Sequence, residues 1–184
     1  MRISRRAAVF VLAVVLAGPI ILAQESQPAG DVQTNVMVAM RDGVRLATDV
    51  YLPKAAKGSS SDKLSTILIR TPYDKGSGKS AEGKYFAANG YAVVVQDTRG
   101  RYASEGTWHW LTDDGPDGVD CCAWIAKQSW SNGRIGMMGT SYVGGTQHAV
   151  AMAGSPSLKT VIPVDAVSNM GRQSMRNAGA FEMR

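Results

Sequence analysis

Cysteine and histidine are scarce: two of each occur in 184 residues. Cys121 and Cys122 are adjacent, which is poor geometry for an ordinary disulfide between them, so no intrachain disulfide framework is available. In an exported chain they have two other choices, another chain or residues absent here. Their surroundings over 119–125 nevertheless read as a buried helix face, which makes them small core residues. Two cysteines and two distant histidines, His109 and His148, offer too few ligands for a metal site, and no metal or organic cofactor is expected. Aromatic residues make up 7% of the chain, and no basic stripe is interleaved with them. With no zinc-finger or RNA-binding signature either, a nucleic-acid partner is not expected. Internal repeats and low-complexity tracts are also absent.

A long apolar run occurs once, over residues 7–23, broken only by Gly18 and Pro19. Arg2, Arg5 and Arg6 precede it and a polar stretch beginning at Gln24 follows, so residues 1–23 read as a secretory signal with Ala23 last before cleavage. An uncleaved anchor is the rival reading. The run is shorter than the roughly 20 residues of a spanning helix and holds a Gly-Pro break, which favours the signal and an exported, periplasmic or secreted, protein without a membrane segment after cleavage. Ser4-Arg5-Arg6 leaves Sec and twin-arginine export both open. Removing the three signal arginines lowers the formal charge from +5 to +2.

Residues 24–34 read as a polar linker, and organised structure is expected over 35–167. An apolar run over 36–40, the turn Arg41-Asp42-Gly43 and a second run over 44–53 predict an opening β-hairpin. Residues 54–63, rich in Ser, Lys and Gly, read as a surface loop. Continuous apolar strands are expected over 66–70, 91–96, 134–138 and 158–165, and helices over 81–89, 113–128 and 146–153. Gly90 is placed as an αL cap, Trp130-Ser131-Asn132-Gly133 as a turn, and Trp124 on the inner face of its helix. Fully apolar strands alternating with helices predict an α/β fold, a mostly parallel sheet covered on both faces. From Ser168 to Arg184 the pattern suggests the start of a helical cap. The open sheet, with no return strand, reads as the front part of something larger.

Chemistry concentrates where a strand meets a helix, in Gly139-Thr140-Ser141-Tyr142-Val143-Gly144-Gly145. A serine on a sharp strand-to-helix turn needs small neighbours so that strand and helix can approach, and the glycines supply that room. The amides of Ser141 and Tyr142 then face the positive end of the helix, suited to a developing oxyanion. The plain alternative is a serine that merely caps a helix. After the strand over 91–96, Asp97-Thr98-Arg99-Gly100-Arg101 forms a polar loop on the sheet edge where open α/β folds bind ligands, and Asp97 and Arg99 are expected to tie that loop together.

The elbow, together with Trp130-Ser131-Asn132-Gly133-Arg134-Ile135-Gly136, Asp113-Asp114-Gly115-Pro116-Asp117-Gly118, Arg70-Thr71-Pro72-Tyr73-Asp74-Lys75 and Asp97-Thr98-Arg99-Gly100, resembles the X-Pro dipeptidyl-peptidase and cocaine esterase family of α/β-hydrolase serine hydrolases. The motifs fall in order from Met37 to about Asp165, and Val143 stands where the general elbow has a second glycine, as in this narrower family. The resemblance implies Ser141 as nucleophile, Tyr73 as an oxyanion donor through its phenol, and Tyr142 as the second donor through its backbone N–H. It also implies an acid and a histidine after the serine. His148 lies two turns down the elbow helix, His109 precedes the serine, and Asp165 has no histidine to orient. The triad acid and base are therefore expected beyond Arg184. Cleavage of an ester or amide, in a peptide or a small molecule, through an acyl-enzyme is one reading; a truncated or non-catalytic domain of the same fold is the other. The oligomeric state is not legible.

Overall fold

The computed structural model describes residues 30–54, 63–166, 176–177 and 180–181. The expected signal (1–23) therefore lies outside the described residues, as do most of the surface loop over 54–63 and most of the segment from Ser168. Among the described residues no helix is long and apolar enough to cross a membrane.

Strands β1 (Val32–Ala39) and β2 (Arg45–Tyr51) form the expected antiparallel hairpin. Met40 N–H and Gly43 N–H close it on Val44 O (2.8 Å) and Met40 O (2.9 Å), with Gly43 at φ 86°. β1 starts within the stretch read as linker. Its first residues are exposed, on an edge, and interrupted by a bulge between Gln33 and Val36, so they lack the alternation by which a strand is recognised. β3 (Leu64–Thr71), helix α1 (Lys79–Ala88), β4 (Ala92–Asp97), α2 (Asp114–Ala126), β5 (Ser131–Thr140), α3 (Tyr142–Ala153) and β6 (Leu158–Val164) follow. β5 begins inside the predicted turn, because Ser131 pairs with Leu64 before a bulge that resets the register at Ile135. α3 begins directly after Ser141, earlier than the periodicity marks it.

The sheet order is β1-β2-β4-β3-β5-β6, with β4, β3, β5 and β6 parallel and β1 and β2 antiparallel to their neighbours. Alternate residues of the central strands point into separate cores. Val50, Leu68, Val94, Ile135 and Met137 pack with Cys121, Cys122 and Ile125 of α2 and Val150 of α3. Tyr51, Ile69, Val93 and Val95 pack with Ala87 of α1 on the other face. Both cysteines are free and buried, and burial pushes their thiols up, which keeps them protonated and unreactive. Trp124 packs against the α2 core, as expected of an inner-face residue. Gly90, at φ 90°, follows the end of α1 as a left-handed cap. The stretch read as the start of a helical cap lies mostly outside the described residues; those described in it form a two-residue antiparallel ladder, β7 (Arg176–Asn177) with β8 (Ala180–Phe181).

Candidate active site

β3 and β5 are parallel neighbours, so the segments after them emerge side by side at one edge. The residue after β5 is Ser141, at φ 60° and ψ −123°, a conformation that costs a non-glycine residue roughly 1–3 kcal/mol and persists only when its surroundings impose it. Two glycines make the enforcement possible. A Cβ on Gly139, itself at φ 141°, would stand 2.2 Å from Val143 Cγ1, and one on Gly144 would stand 2.4 Å from Ala166 Cβ.

The backbone bonds around the serine correct one expectation. Ser141 N–H donates to Val164 O at 2.9 Å, so the serine's own amide is engaged with β6 and is not an oxyanion donor. Ser141 O accepts from Gly144 N (2.9 Å) and Gly145 N (3.0 Å), which starts the helix. The Tyr142 amide belongs to the first turn of α3, where N–H groups have no intrahelical acceptor.

Tyr73 follows β3 by two residues and is 52% exposed. Its N–H donates to Thr71 Oγ1 (3.0 Å), and its ring meets the Tyr142 ring edge-on, centroids 6.3 Å apart at 75°. Among the described residues its phenolic hydroxyl has no hydrogen-bond partner.

The Tyr142 side chain has a role that sequence reasoning missed. Its hydroxyl donates to Asp114 Oδ2 (2.8 Å) and accepts from Leu111 N (3.0 Å) and Trp108 Nε1 (3.2 Å), joining the elbow to α2 and to the loop before it. Burial, with the Asp114 carboxylate beside it, pushes this phenol up to about 12. Burial also pushes the Asp114 carboxyl up, against the pull of Arg70 and the Tyr142 hydroxyl. A phenol raised from its ordinary 10.0 to about 12 on folding contributes stability that is complete below pH 10.0 and lost as pH passes about 12. Tyr142→Phe is therefore expected to remove an alkaline component of unfolding in that window, read by circular dichroism against pH; an unchanged alkaline profile would show that this hydroxyl is not linked to folding.

Asp97 and Arg99 tie loops together, as expected. Asp97 accepts from Lys75 N (2.7 Å) and Ala103 N (3.4 Å), and burial raises its carboxyl. Arg99 bridges Asp117 (2.6 Å) and Asp42 (2.7 Å).

Among the described residues neither histidine is placed to complete a triad with Ser141. His109 pairs through Nδ1 with Asp113 (3.0 Å) on an exposed loop, and His148 sits on α3, displaced from Ser141 by about 10 Å along the axis at 1.5 Å per residue. Among the described residues no group of three or more potential ligands gathers as a metal site. An apolar cleft of about 400 Å³, lined by Ile67, Phe86, Met138 and Ile162, lies along the sheet face beside α1 and away from the serine's edge.

Residues 42–184 match the model of the X-Pro dipeptidyl-peptidase (S15) family. The chain is 44% identical over 146 residues to cocaine esterase of Rhodococcus sp. (strain MB1 Bresler), covering 77% of this chain and 25% of the esterase. Among solved structures it is similar to an α-amino acid ester hydrolase, at 31% identity and TM-score 0.69 over 95% of this chain and 31% of that one. An aminopeptidase from a marine sediment Thaumarchaeota archaeon aligns at 28% identity and TM-score 0.67, over 83% of this chain and 28% of that one. The chain thus spans about a quarter of the length of the esterase it matches.

Proposed function

Because the chain belongs to the X-Pro dipeptidyl-peptidase (S15) family, we propose that it is the nucleophile-bearing part of a serine hydrolase that cleaves an ester or amide through an acyl-enzyme on Ser141. The observation that carries this reading is the strained backbone of Ser141 beside a tyrosine whose hydroxyl is unengaged among the described residues. In the reaction Ser141 Oγ attacks the acyl carbonyl while its proton passes to a base, and charge builds on the carbonyl oxygen. The Tyr73 phenol and the Tyr142 amide donate to that oxygen, and the leaving alcohol or amine takes the proton from the same base. A neutral phenol donates at any ordinary pH. The acid and base are assigned to positions after Ser141 in chain order.

The relatives frame the substrate. One is named for cocaine, another for α-amino acid esters and a third for aminopeptidase action. A small acyl ester or the bond after a short N-terminal peptide is the class that fits all of them. A second reading, a domain that binds without cleaving, is favoured by the absence of an assembled triad among the described residues.

Capture of a fluorophosphonate by the folded chain, located by mass spectrometry, is the test. A label on Ser141 that is lost in Ser141→Ala supports hydrolysis; a folded chain that takes none is inactive as it stands, and the same capture by a chain that also carries the acid and base separates hydrolysis from binding. Removing one oxyanion donor typically costs about 100-fold to 1,000-fold in rate. Tyr73→Phe is accordingly expected to slow capture by about 100-fold with the thermal midpoint unchanged; full-rate capture by that variant would end the oxyanion role of Tyr73.

A further inference from the structure

We infer that Arg101 is the positioning residue of the oxyanion tyrosine, an inference that rests on the role proposed for Tyr73. Arg101 is half-buried in the loop after β4. Asp42 and Asp117 pair with Arg99, Glu105 with Arg45 and Asp49 with Lys75, while Asp97 accepts from the backbone amides of Lys75 and Ala103. Among the described residues Arg101 has no carboxylate partner. Its Nε donates instead to Pro72 O at 3.0 Å, the carbonyl immediately before Tyr73. The guanidinium carbon lies 5.3 Å from the centroid of the Trp108 ring and 5.5 Å from that of Tyr102.

These contacts close a circuit around Tyr73. Trp108 donates through Nε1 to the Tyr142 hydroxyl (3.2 Å), and the Tyr142 ring meets that of Tyr73. Arg101 therefore holds the backbone before Tyr73 and, through Trp108 and Tyr142, supports the ring that Tyr73 leans on. The segment's far side is pinned separately, by Asp97 on Lys75 N–H (2.7 Å) and Asp49 on Lys75 Nζ (3.2 Å). A phenol that stabilises an oxyanion has to stand within about 2.7–3.1 Å of it. A half-exposed tyrosine on a short loop keeps that placement only if its backbone is fixed on both sides. Lysine in place of Arg101 could still reach the Pro72 carbonyl but would lose the flat face stacked on Trp108.

Two measurements on the full chain test the role. In Arg101→Ala the amide of Tyr73 is expected to exchange with solvent about tenfold faster while those of Lys75, held by Asp97, and of Val93 to Val95 in β4 stay unchanged; unchanged exchange at Tyr73 overturns the anchoring. In fluorophosphonate capture Arg101→Ala is expected to react about tenfold more slowly, since a misplaced group forfeits part of its contribution, with Arg101→Lys in between. The double variant Tyr73→Phe/Arg101→Ala should be no slower than Tyr73→Phe alone, because Arg101 acts through the phenol already removed. A further loss in the double variant overturns the inference. If Tyr73→Phe by itself captures at full rate, the reading of Tyr73 fails and the positioning role falls with it, whereas faster exchange in Arg101→Ala without that failure supports both. Should Arg101→Ala not fold, Arg101→Gln serves in the same comparisons.

Discussion

Replacing Ser141 by glycine is expected to abolish covalent capture and hydrolysis and, in the same variant, to make the fold more stable by about 1 kcal/mol. Loss of the nucleophile removes the acyl-enzyme outright, and in serine hydrolases such a loss costs on the order of 10⁶ in rate. The gain in stability has a different origin. Ser141 is held at φ 60° by the bond from its N–H to Val164 O and by the bonds from Gly144 and Gly145 to its carbonyl. All of these are backbone bonds and survive the substitution. Glycine adopts positive φ without the clash that a Cβ suffers, so about 1–3 kcal/mol of strain is relieved, offset by roughly 0.5–1 kcal/mol of extra chain entropy lost on folding. Urea unfolding at equal m-value is the measurement. A glycine variant less stable than the parent would show that the serine is not strained, and would weaken the case that the turn is built to present a nucleophile.

Arg70→Met is expected to cost about 3–5 kcal/mol, because it removes one partner of a buried ion pair. Arg70 is fully buried at the end of β3. Its Nε donates to Gln96 Oε1 (3.0 Å), and its Nη1 donates to Asp114 O (2.6 Å) and Asp114 Oδ1 (3.3 Å). Asp117 stands 3.9 Å from Nη2. Methionine fills comparable space but leaves Asp114 buried without its cation, whereas Asp117 keeps Arg99. The cost is pH-dependent. Asp114 is already raised by burial, and losing Arg70 raises it further. A carboxyl whose folded pKa lies above its unfolded value contributes stability at low pH that is lost as pH rises through the folded value, so the deficit of Arg70→Met should be greatest near neutrality and shrink toward acid. A deficit that grows toward acid would mean that Asp114 is not the group left unpaired. Because Asp114 also accepts from the Tyr142 hydroxyl, a folded Arg70→Met chain is further expected to present a looser elbow.

Several features were legible in the chain because they depend on local chemistry. The hairpin turn at Asp42-Gly43, the apolar strands over 66–70 and 91–96 and the small residues around Ser141 each encode a backbone requirement within a few positions. Bulged and edge strands were not legible at their ends, since β1 and β5 begin with polar, irregular residues that only pairing makes into strand. Asp113-Asp114 read as acids suited to a helix start, yet Asp114 is the partner of Arg70 and Tyr142, residues 44 and 28 positions away. Arg101 carried no signal at all, because an arginine in a polar loop gives no hint of which carbonyl it meets.

The sequence by itself determined that a serine sits at a strand-to-helix turn made possible by glycines, and that the chain alternates strands and helices as a mostly parallel sheet requires. These follow from hydrophobic period and from sterics at single positions, which are local. Only the tertiary structure decided that the serine's own amide is engaged with Val164, that Tyr73 and Tyr142 meet ring to edge, and that Asp114 of α2 accepts from the Tyr142 hydroxyl while Arg101 of the loop after β4 donates to the Pro72 carbonyl. The physical reason is sheet order: placing β3 between β4 and β5 brings three loops, far apart in the chain, to one edge, and no short-range pattern records which of their side chains will touch.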